Sequence, residues 1–86
     1  MSNNTVTHEQ IMNIYNNSKL EVTKMGDKTT VVMATLLSGF TIVESSSCVD
    51  PENFSEQIGF DICQGRIINK IWELEGYVLQ KKVSEG

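Results

Sequence analysis

Ser45-Ser46-Ser47-Cys48 stands immediately before Asp50-Pro51, a pair that opens helices, so three hydroxyls and a thiol fall at a strand-to-helix turn. A nucleophile in such a place is activated by a base within hydrogen-bond reach or by the dipole of the helix that follows. The only histidine, His8, belongs to the first helical segment, where it is solvated, so no base is assigned and no residue is assigned as catalytic. Asp50, Glu52 and Glu56 could hold a divalent cation, but their spacing is that of a helix cap followed by charges that compensate the positive end of the helix dipole. Two cysteines, Cys48 and Cys63, without histidine partners make neither a zinc site nor a disulfide framework, and both are expected to be reduced. No metal and no cofactor is implied. Glu44 is the unusual carboxylate: strict alternation along its strand points it inward opposite Met33, where Arg66, Lys70 or backbone amides would have to meet it. Glu44, Arg66 and Lys70 are therefore the polar binding candidates.

The elements that position these residues follow from punctuation and period. Thr7 with Gln10 reads as a capping box for a short helix bearing Ile11, Met12, Ile14 and Tyr15, which Asn16-Asn17-Ser18 ends. From Leu20 the apolar period shortens toward two, and Gly26-Asp27 and Ser38-Gly39 signal hairpins between three strands at about 19–25, 29–37 and 40–47. Two-residue turns would set Val22 opposite Val31 and Thr35 opposite Ile42. One face then collects Leu20, Val22, Val31, Met33, Leu37, Phe40 and Ile42 as the core. The other carries Val32, Ala34, Leu36 and Val43 beside Glu21, Thr23 and Thr41, too apolar for a solvated face, and these four apolar residues are the interface candidates.

Asp50-Pro51 opens a helix predicted over 51–75, with Phe54, Ile58, Ile62, Ile67, Ile71, Trp72 and Leu74 as one apolar stripe and Gly76 as its stop. Trp72 on that stripe is read as core rather than as an interface anchor with Tyr77. Gly59 and Gly65 inside it indicate close packing or a kink. The expected fold is α+β: a three-stranded antiparallel meander with one long helix packed on it and a short N-terminal helix, in a single domain over 1–86. Residues 1–6 form a frayed start and 80–86 a polar tail.

Composition removes several function classes. At 86 residues and 40% hydrophobic, the chain builds one modest core and would gain from self-association, here expected as a homodimer. A net charge of −4 with only seven Lys and Arg excludes general nucleic-acid binding, which needs a basic stripe. No apolar run reaches the roughly 18 residues that span a bilayer, and the first residues lack the pattern of a secretory leader, so no membrane association is expected.

From about Leu36 to Leu79, the pieces Ser38-Gly39-Phe40, Glu44-Ser45, Cys48-Val49, Asn53-Phe54, Glu56, Ile58-Gly59, Lys70-Ile71-Trp72 and Leu74-Glu75-Gly76-Tyr77 resemble, in order and spacing, a small phage protein family. It is named after accessory gene products of two enteric tailed phages. Where that family commonly has a glycine before Glu-Ser, this chain has Val43. The resemblance covers about half the chain and implies a phage or prophage product in the host cytoplasm, but it carries no activity, because the family is of unknown function. The leading expectation is a non-enzymatic accessory protein that binds a host or phage macromolecule. The alternatives are an oligomeric sponge for a signalling nucleotide, using Lys24, Lys28, Arg66 or Lys70, and a small enzyme using Cys48 or Glu44.

Overall fold

The computed structural model describes residues 5–85. The order is α1 (His8–Asn16), β1 (Lys19–Met25), β2 (Thr29–Thr35), β3 (Thr41–Ser47), a single 3-10 turn (Pro51–Asn53) and α2 (Glu56–Glu85). The strands form an antiparallel sheet in the order β1-β2-β3, and the α+β meander with its long and short helices is the fold expected from the sequence.

Local chemistry accounts for the starts. Thr7 Oγ1 accepts from the Gln10 amide at 3.1 Å while Gln10 Oε1 accepts from the Thr7 amide at 3.4 Å, closing the capping box of α1. Asp50 caps only the 3-10 turn, through the Glu52 amide at 2.9 Å. The chain then extends through Phe54, and Ser55 caps α2 through the Ile58 amide at 3.2 Å. The long helix thus begins at Glu56, not at 51, and it runs through Gly76 to Glu85, so Tyr77 to Leu79 and the expected polar tail are helical.

The register departs from the expected one at both turns. Met25 pairs with Thr29, leaving Gly26-Asp27-Lys28 as a three-residue loop, and Val22 lies opposite Val32 rather than Val31. At the second turn the Gly39 amide reaches the Leu36 carbonyl at 2.9 Å, and the Leu36 amide reaches the Phe40 carbonyl at 2.9 Å. That is a type I turn completed by Gly39 in the left-handed region at φ +95°, again three residues long. Each extra loop residue flips β2 relative to its neighbour. The two flips cancel between β1 and β3, so Leu20, Val22 and Ile42 share a face as expected, but β2 contributes Thr30, Val32 and Ala34 to it instead of Val31 and Met33.

Gly59, Cys63, Ile67 and Ile71, one turn apart along α2, are buried against that face, with Val32, Ala34 and Ile42 beneath them. Small residues on the sheet let the helix lie close. α1 adds Ile11 and Tyr15 to the same core by packing against α2 rather than on the far side of the sheet, and Gln64 Nε2 donates to the Tyr15 hydroxyl at 3.0 Å. Trp72 packs half-buried at the margin of the core. The α2 helix outruns the sheet: the molecule measures 53 × 21 × 19 Å, and its radius of gyration of 15.6 Å exceeds the roughly 12 Å of a compact chain of this length.

Candidate functional site

Glu44, Arg66 and Lys70 come together along the outer edge of the sheet. Glu44 points to the helix side of β3, opposite Val32 and half-buried, and it lines an open groove with Phe40, Ile42, Lys70 and Leu74. One turn earlier on α2, Arg66 Nη1 donates to the Ser45 carbonyl at 2.6 Å. β3 is an edge strand, so that guanidinium occupies an acceptor that a further strand would need. Lys24 plays a comparable part on the other edge, pointing toward the helix side of β1 with its ammonium 4.8 Å from the centre of the Phe54 ring. Inward charges on both edges discourage strand addition. Among the described residues Lys70 pairs with Glu73, at 3.9 Å on the surface, and not with the Glu44 carboxylate that shares its groove.

The cations proposed for phosphate do not converge. Lys24 lies over Phe54, Lys28 donates to the Val49 carbonyl at 3.2 Å, Arg66 holds Ser45 and Lys70 faces Glu73.

Cys48 sits half-buried where β3 leaves the sheet, its amide on the Lys28 carbonyl at 3.0 Å and its thiol donating to the Asp50 carbonyl at 3.1 Å. A small, mainly apolar hollow beside it is lined by Thr30, Phe54, Ser55, Ile58 and Ile62. His8 is absent from this lining. Among the described residues no group of three or more His, Cys, Asp or Glu is placed to hold a metal. Cys63 is fully enclosed on the sheet-facing side of α2, and both cysteines are free. Burial pushes the Cys63 thiol above its ordinary value; Arg66 pulls it back and Glu44 adds to the rise.

Of the apolar interface candidates, Val32 and Ala34 are wholly enclosed in the core and Leu36 is half-buried against it; only Val43, 57% exposed, lies on the uncovered face. The cause is the parity of β2. The uncovered face carries Met33 between Glu21 and Val43, and Val31 between Thr23 and Ser45. Threonines and serines at Thr29, Thr35, Thr41 and Ser47 frame these rows, with the Thr29 and Ser47 hydroxyls 2.7 Å apart. Val31 and Met33, expected in the core, lie here instead because Ser-Gly serves equally as a two-residue turn and as the end of a three-residue loop.

A model of the Phage protein (N4 Gp49/phage Sf6 gene 66) family matches residues 3–83. The match takes in α1 and β1, which lie outside the sequence resemblance. No curated protein and no solved structure matches the chain.

Proposed function

The chain belongs to this phage protein family, and we propose that it acts in the host cell as an accessory protein, by occupying another protein rather than by catalysis. One observation carries the reading: both helices pack on the same side of the meander, so among the described residues no layer covers the Val31, Met33 and Val43 side of the sheet. A three-stranded sheet in a small domain normally hides its apolar rows, and an uncovered apolar patch rimmed by hydroxyls suits a protein interface. The rim supplies hydrogen bonds without charge, and Glu21 and Lys19 mark the β1 border.

Complementation of a phage lacking the gene tests this. Val43→Asp and Met33→Asp, each checked for retained dichroism and melting, are expected to abolish complementation, whereas Cys48→Ala and Glu44→Gln retain it. Full complementation by both folded face variants overturns the reading, and loss with Cys48→Ala alone transfers the function to the thiol corner.

A further inference from the structure

We infer that two copies of this chain pair antiparallel through the C-terminal half of α2, on a face centred on Tyr77. This surface is separate from the uncovered sheet face and does not depend on its role. The last wholly buried residue of α2 is Ile71, yet the helix continues to Glu85 with Tyr77 66% exposed and Val78 44% exposed. A segment of this length is marginal as a helix on its own, and the chain from Thr5 to Gln10 flanks only the side that carries Glu75, Val78, Leu79 and Lys82. The opposite side follows the ridge Lys70, Glu73, Tyr77, Lys81 and Ser84, spaced three and four apart.

A two-fold axis at Tyr77 makes this ridge complementary to itself, as an isologous interface requires. Tyr77 meets Tyr77 of the second copy, and Glu73 meets Lys81 twice. Lys70 falls opposite Ser84. Neighbouring registers lose the match: sliding the helices by one turn in one direction sets Glu73 against Tyr77 and Lys81 against Asn69, and in the other sets Glu73 against Glu85. The Tyr77-centred register alone among these brings opposite charges together. It also carries the last turn of the partner helix toward Lys70, where Phe40, 53% exposed, and Leu74 line the mouth of the β3 groove. Glu73 is free to answer, because its contact with Lys70 is a 3.9 Å surface pair.

Sedimentation equilibrium of the full chain tests the pairing. The expected mass is twice the 9.6 kDa chain mass. Glu73→Lys and Lys81→Glu, both at exposed positions, are each expected to weaken the dimer by about tenfold or more through two like-charge contacts. Combining the two reversals restores it to near its original strength. A single-chain mass at several hundred micromolar, a dimer indifferent to both single reversals, or a double reversal no tighter than the singles would each overturn the proposal; a wild-type chain that stays single while binding another protein through Tyr77 does so as well.

Discussion

Gly59 lies over Thr30 so closely that a β-carbon on the helix would come within 2.8 Å of the Thr30 Cβ and closer still to its hydroxyl. Both residues are buried, and among the described residues the Thr30 Oγ1 has no hydrogen-bond partner. The helix approaches the sheet here at the expense of that hydroxyl, which is enclosed against backbone.

Gly59→Ala is therefore expected to destabilise the fold by about 1–3 kcal/mol through overpacking, despite the better helix propensity of alanine. Thr30→Val replaces the orphaned hydroxyl with a methyl of similar shape and should leave stability unchanged or raise it by up to about 1 kcal/mol. Urea unfolding of both variants checks this; a clear loss with Thr30→Val would mean that the hydroxyl is satisfied in solution.

The parity of β2 has a direct thermodynamic signature. Val32→Ala should cost about 2 kcal/mol, since Val32 is wholly enclosed beneath α2, and Val31→Ala less than half as much, since Val31 is on the uncovered face. Thermal unfolding of the pair would show the reverse order if both turns held two residues.

Ser55, rather than Asp50, carries the start of α2. Ser55→Ala should lower stability by about 1 kcal/mol. Asp50→Ala should cost less, because it caps only the 3-10 turn.

The two thiols should separate in a native titration. Cys48 reacts with an aromatic disulfide reagent in the folded protein, whereas Cys63 reacts only on unfolding. Because burial raises the Cys63 pKa in the fold, the native state keeps its proton after the unfolded chain has lost it. Stability is therefore fully present below the ordinary thiol range and falls as pH rises through it. Cys63→Ala should remove this alkaline slope while lowering stability at neutral pH; an unchanged slope would assign it to other groups.

The architecture was legible wherever side-chain chemistry punctuates the chain. The Thr7 and Gln10 capping box, the three strands and the apolar stripe through Ile67 and Ile71 all stand where their residues place them. Loop length was the weak signal. Gly26-Asp27 and Ser38-Gly39 do not distinguish two residues from three, and that single residue decides which side of β2 is buried. Gly76 resembled a stop but stays helical, because the residues after it, Leu79 through Lys82, are good helix formers and α1 lies alongside Leu79. At the candidate sites, Glu44 lies on the helix side of β3 as strict alternation indicates, but Arg66 donates to the Ser45 carbonyl and Lys70 pairs with Glu73 rather than with the Glu44 carboxylate. Val31 and Met33, expected in the core, lie on the open face for the reason that misplaced β2.

The helices that share one side of the sheet are also separated by the whole of it in the chain, and this orders the events of synthesis. The meander can pair strand by strand as residues 19–47 emerge, but the residues that roof it, Gly59 to Ile71, come later, and Tyr15 waits for Gln64. A nascent chain halted before Ile71 would present Val32, Ala34 and Ile42 to water as an open hairpin sheet, prone to capture by chaperones. Completion of α2 should therefore be a late event of folding on the ribosome, closing the core only when most of the chain has been made.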